Sequence, residues 1–164
     1  GYKSLSRQRF LLLGTLTFVP TKPFKRMKTQ KFISIVAGSF IAFSALAIVM
    51  VSIMAFSDPQ AVMDLVNVKL TNNDAYSSIR GVYGGVGLTI FITLAYLGFR
   101  DQTKGLLFAA ILWGLYAVSR IVTIFREGPL GDFGNQWLTI ESGLCIAALI
   151  LLSFKLRLAS LKNA

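Results

Sequence analysis

Four apolar blocks, each long enough to cross a bilayer, constrain this chain more than any other feature. The first, Phe32 to Phe56, contains no charged residue. A hydrocarbon core about 30 Å thick takes roughly 20 helical residues, so this block crosses with some tilt. The second block runs from about Gly81 to Phe99 and is headed by Arg80. The third, Gly105 to Phe125, contains one charge, Arg120. The fourth starts near Trp137, contains Glu141, and ends at Lys155, Arg157 and Lys162. In lipid each backbone N–H and C=O must be satisfied within its own segment, so long single blocks cross as helices. The fold class is therefore all-α, a four-transmembrane-helix bundle. A hydrophobic content of 54% and a mean hydropathy of +0.64 agree.

The connections differ in kind. Ser57-Asp58-Pro59 ends the first block, and residues 57–79 form the longest loop. Within it Val62, Leu65, Val66 and Leu70 fall at helical spacing, which predicts a short amphipathic helix over Pro59 to Leu70, lying in the interface. Asn72-Asn73-Asp74 reads as a turn or helix cap. Arg100 to Lys104 is a tight polar loop, so the second and third spans are antiparallel neighbours. Arg126 to Gln136 is a loop containing Gly and Pro.

Orientation follows from the basic residues. Lys3, Arg7, Arg9, Lys22, Lys25, Arg26, Lys28 and Lys31 precede the first span, Arg100 and Lys104 lie in the tight loop, and three more lie in the tail. The opposite face carries only Lys69 and Arg126, with Asp58, Asp64, Asp74, Glu127 and Asp132. Cytoplasmic loops are enriched in Lys and Arg, which predicts both termini inside. For a bacterial source this means a multi-pass protein of the cytoplasmic (inner) membrane.

Residues 1–26 are basic around an apolar stretch, Phe10 to Val19, too short to span. Pro20, Pro23 and more basic residues follow it without a small-residue cleavage site. Met27, just before the first long block, looks like a natural start, so residues 1–26 are read as an upstream extension or gene-call artefact, the alternative being a flexible basic tail that lies on the inner membrane surface. Residues 27–164 then form the transmembrane domain.

Several chemistries are excluded by composition. There is no histidine and only one cysteine, Cys145. Ser-His-Asp and Cys-His catalysis are impossible, an internal disulfide cannot form, and zinc, haem and copper lack their usual ligands. No metal site and no cofactor is expected. The net charge of +10 sits beside apolar blocks rather than in any nucleic-acid-binding motif, so its partners are anionic membrane lipids and not nucleic acid.

The embedded charges carry what functional information there is. Arg80, Arg120 and Glu141 fall at similar depth near the face that carries the 57–79 loop. Ionisable groups within spans are costly and usually meet a partner or a water-filled cavity. Glu141 between the two arginines is the arrangement expected, and the group would keep a net positive charge. Tyr83 lies one turn from Arg80 and Tyr116 one turn from Arg120. Asn73 and Ser119 could add hydrogen bonds. The cluster serves either to hold a ligand or to fix helix register through an Arg120–Glu141 pair. Gly81, Gly84 and Gly85 are read as helix-packing residues, with Gly81 and Gly85 at G-x-x-x-G spacing. Trp113 is core or lipid-facing, Trp137 an interfacial anchor, and Cys145 a small packing residue.

The stretch from Asn73 to about Leu152 resembles a small bacterial family of four-helix membrane proteins catalogued as a domain of unknown function. Arg80-Gly-Val-Tyr83-Gly84-Gly85, Ser119-Arg120 and Glu141 carry the resemblance. It implies a four-helix membrane fold and groups Arg80, Tyr83, Arg120 and Glu141 as one cluster, but it transfers no activity. The preferred reading is non-enzymatic: binding of a lipid-like or other small amphipathic molecule, or support of a membrane complex. The alternatives are a small transporter or channel, formed as a homo-oligomer, and a membrane enzyme acting on a lipid-like substrate with Glu141 as acid or base.

Overall fold

The computed structural model describes residues 23–163, with side chains from Lys28 to Leu161. The basic stretch at 1–22, including Phe10 to Val19, lies outside the described residues. Helix α1 is Pro23–Ser57, α2 is Pro59–Asp64 and α3 is Asn73–Ile79. A π-helical segment, Arg80–Val86, joins α3 without a break to α4, Gly87–Arg100. Helices α5, Gln102–Glu127, and α6, Asp132–Asn163, complete the chain. Four helical stretches are long and apolar enough to cross a membrane: Lys28–Ser57, Asn73–Arg100, Gln102–Glu127 and Asp132–Leu161. The protein is a multi-pass, all-α membrane protein.

Polar caps set the span limits. Asn72 is extended and its side-chain oxygen accepts from the Ala75 N–H, 2.8 Å away, starting α3 well before Gly81. Asp101 is the whole hinge between α4 and α5. Its carboxylate accepts from the Thr103 and Lys104 backbone N–H groups, each at 3.1 Å, satisfying donors that a helix start leaves orphaned. The Asp101 carboxyl is held below the usual carboxylate range, first by the Lys104 backbone N–H.

The loop after α1 differs from its expected form. The helix there stops at Asp64 rather than Leu70. Gln60 is the reason: its amide donates to Asp64 Oδ1 at 2.6 Å and to the Val68 carbonyl at 2.9 Å, and its oxygen accepts from the Leu70 N–H at 2.9 Å. Asn67, at φ 57°, supplies the left-handed residue that lets the chain double back. Val62 and Met63 then bury against Ala55 of α1, so the segment packs on the bundle.

The bundle is built as two close pairs, α1 with α4 and α5 with α6, joined mainly through α1–α5 and α4–α5 contacts. Its core holds Ala37, Ile41 and Ala45 of α1, Leu94 of α4, and Leu106, Ala109 and Trp113 of α5. Three of these seven are alanines, which suits helices in lipid that gain from close backbone approach rather than from hiding apolar surface. Large apolar side chains face outward all round, among them Phe32, Met50, Phe99 and Phe125. That distribution suits lipid as solvent.

Glycine packing also departs from the expected pattern. A Cβ at Gly84 would stand 3.0 Å from the Phe56 ring, and one at Gly87 would collide with the Ser52 hydroxyl. A Cβ at Gly81 or Gly85 would meet nothing within 4 Å. The close approach of the second span to α1 therefore runs through Gly84, Gly87 and Gly98, not through the Gly81/Gly85 pair. The π-helical turn changes the angular step per residue, so spacing counted on an α-helix misassigns the face.

Candidate functional site

The end of the bundle carrying the 58–72 and 128–131 connections, here the loop end, contains a cavity of about 450 Å³. All four spans and the loop after α1 contribute to its wall. Trp113 belongs both to the core and to the lining, so it forms the floor. Its indole N–H donates to Ser44 Oγ at 3.1 Å, which fixes the ring and satisfies the one polar atom it buries. Apolar wall comes from Ile48, Val51, Val86 and Ile90, and Val62, Met63, Leu65 and Val66 line it from the loop.

One side of the cavity is polar. Arg120 Nε donates to Glu141 Oε2 at 2.6 Å and Arg120 Nη2 to Glu141 Oε1 at 2.8 Å. This is the planar fork of a guanidinium matched to a carboxylate. Glu141 is 2% exposed, so both of its oxygens are shut in against α5. Arg120 is only partly covered, and the Phe133 ring centroid lies 6.0 Å from its Cζ. Two of its five N–H donors go to Glu141, and among the described residues no other protein acceptor takes the rest, while Arg120 lines the cavity. Tyr83, Tyr116 and Ser119 line the same space. Ser119 Oγ donates to the Tyr116 carbonyl at 2.7 Å, and the Tyr116 ring lies 6.1 Å from that of Trp113.

The structure brings Tyr83, Tyr116, Ser119, Arg120 and Glu141 around one cavity. Arg80 goes elsewhere: its Nε donates to the Phe56 carbonyl at 3.2 Å. That carbonyl is one of the last four of α1, which have no partner within the helix, and a cation there also suits the negative end of the helix dipole. The expected convergence of two arginines on Glu141 is therefore replaced by a single pair, and the expected net positive charge by a neutral ion pair. Asn73 sits in the first turn of α3, outside the cavity lining.

Sequence reasoning missed Phe133, Met63 and Gly87 as lining residues, and read Trp137 as a membrane anchor although it is half-buried in the cavity wall. Of the loop residues in the lining, Val62, Leu65 and Val66 had a signal, their helical spacing. Cys145 does pack: its Sγ lies 3.4 Å from the Ala110 carbonyl and a Cβ at Gly114 would stand 3.2 Å from that sulfur. Among the described residues no group of three or more His, Cys, Asp and Glu converges.

A family model described as "Domain of unknown function (DUF4345)" matches residues 36–152, which takes in the second and third spans, most of the first and fourth, and every residue lining the loop-end cavity. No curated protein and no solved structure matches the chain.

Proposed function

The chain belongs to the DUF4345 family, and on that footing we propose that it is a non-enzymatic membrane protein that binds a small amphipathic molecule in the loop-end cavity. The observation that carries this reading is the division of the cavity wall. Its volume of about 450 Å³ lies within the roughly 300–1,000 Å³ usual for small-molecule sites, and most of its lining is apolar. The polar side offers Arg120 donors, the Tyr116 phenol and the Ser119 hydroxyl oxygen on α5, and the Tyr83 phenol on the π-helical segment. Because Glu141 already neutralises Arg120, the head this site suits is a neutral hydrogen-bond acceptor, such as an ester, ketone or quinone carbonyl, rather than an anion. The tail lies along Val51, Val86 and Ile90.

Catalysis is less well supported. Glu141 has both oxygens committed to Arg120, and no nucleophile stands beside a base in the cavity. The family motif read from Arg80, Tyr83, Arg120 and Glu141, the bacterial inner membrane and the cytoplasmic placement of both termini belong to the same proposal. The distribution of Lys and Arg supports the orientation, with the loop end outside.

The test is mass spectrometry of molecules that co-purify with the protein in nanodiscs. It compares the wild type with Glu141→Gln and with Val86→Phe, which fills the cavity without touching the ion pair. A discrete species retained by the wild type and lost from both folded variants establishes the site. If the folded wild type retains none, or if Val86→Phe keeps it, the cavity is not the site and the ion pair is a helix-pairing device.

A further inference from the structure

At the opposite end of the bundle, beside the Asp101 hinge, Lys155 of α6 reaches across to two other helices. Its Nζ donates to Gln102 Oε1 of α5 at 2.8 Å and to Ser34 Oγ of α1 at 3.1 Å. The ammonium is partly buried, and no carboxylate forms an ion pair with it among the described residues. A cation withdrawn from solvent with only neutral partners is a poor final state, because neutral acceptors recover less of its solvation than an anion does. Beside it lies a second cavity of about 260 Å³, lined by Gln30, Ser34, Thr103, Lys155, Leu158 and Ala159. Four of those six side chains can donate. One Lys155 N–H is left over from its two bonds, and the Ser34 hydroxyl, while accepting from Lys155, keeps its own proton free to give. Asp101, the acid of the hinge, is already engaged by two backbone N–H groups and by Lys104 Nζ at 3.4 Å.

We propose that this cavity is a seat for a phosphate group, supplied by the headgroup of an anionic phospholipid or by a soluble phosphoester. Lys155 provides the charge, held by Gln102 and Ser34, and Thr103 and Gln30 complete the donor set. The apolar walls of Leu158 and Ala159 continue onto the lipid-facing surface of α6, which carries exposed Phe154 and Leu161. A phospholipid docked by its phosphate therefore has a surface for its chain. This site is separate from the loop-end cavity and stands whether or not that cavity binds an amphiphile.

The experiment is native mass spectrometry of the full chain in detergent, titrated with phosphatidylglycerol and with phosphatidylcholine. Lys155→Gln is expected to weaken phosphatidylglycerol binding about tenfold, the loss of one charge-assisted contact. Thr103→Val, which leaves the Lys155–Gln102–Ser34 tie intact, is expected to weaken it about threefold on the same scale. Arg157→Gln, on the exposed face of α6 and outside the cavity, is the control for general surface attraction. Equal losses in Arg157→Gln and Lys155→Gln overturn the proposal, as does unchanged binding in Thr103→Val. If Lys155→Gln does not fold, Thr103→Val decides alone. Displacement of the lipid by millimolar glycerol phosphate assigns the seat to a soluble phosphoester, and its absence assigns it to the lipid.

Discussion

Arg120 and Glu141 form a two-point ion pair, 2.6 and 2.8 Å, that ties α5 to α6 within the span and at the wall of a cavity. The pair closes the carboxylate and leaves the guanidinium partly open. Breaking it from one side strands a charge. Arg120→Met alone and Glu141→Leu alone are each expected to destabilise by about 3–5 kcal/mol, whereas the double variant loses much less, because no uncompensated ion remains. Unfolding of the four proteins in one detergent gives the cycle. Additive losses would show that the two side chains do not interact.

The glycine faces make opposite predictions for the same substitution. Gly87→Ala drives a methyl group into the Ser52 hydroxyl and is expected to cost about 1–3 kcal/mol. Gly85→Ala meets open space, so its effect stays within about 0.5 kcal/mol. Thermal melts of the two variants decide this, and a reversed order would move the α1 contact to the Gly81/Gly85 face.

Ser44 serves the floor of the loop-end cavity. Ser44→Ala leaves the Trp113 indole N–H buried without its acceptor, an expected loss of about 1–3 kcal/mol. Trp113→Phe removes that donor, so adding Ser44→Ala to it should cost less than Ser44→Ala costs alone. A stability cycle on the four proteins measures the difference.

Asp101 gives the hinge a pH dependence. Its folded pKa is lowered, chiefly by the Lys104 backbone N–H, so the carboxylate form favours the folded state. That contribution is complete above the ordinary carboxylate range and is lost as pH falls through the lowered folded value. Asp101→Asn retains a capping oxygen but cannot titrate. Its melting temperature should therefore lose part of the acid-side decline seen in the wild type, and a parallel decline would mean the slope comes from other groups.

Topology is tested by placing single cysteines in a Cys145→Ser background. Asp74→Cys, in the first turn of α3, should react with a membrane-impermeant maleimide on intact cells, and Lys104→Cys only after the membrane is opened. The opposite result inverts the proposed orientation.

The cavity explains why part of the site was legible and part was not. Arg120 and Glu141 stand out in any reading, because a charge inside an apolar block has few tolerable fates and the nearest opposite charge at the same depth is the best of them. Arg80 carried the same signal and had a different fate. Its partner is a backbone carbonyl at the end of α1, and a sequence does not show which carbonyls lie within reach.

Sequence alone determined the four spans and the exclusion of histidine- and thiol-based catalysis, since a bilayer admits few backbone solutions and composition decides which chemistry is available. Tertiary structure decided that Gly84 and Gly87 face α1, that Gln60 and Asn67 fold the first loop onto the bundle, and that Trp113 floors the loop-end cavity. These depend on the rotation of each helix about its axis and on a π-helical turn that resets it. In apolar sequence surrounded by lipid, every helix face looks alike until the neighbours that touch it are in place.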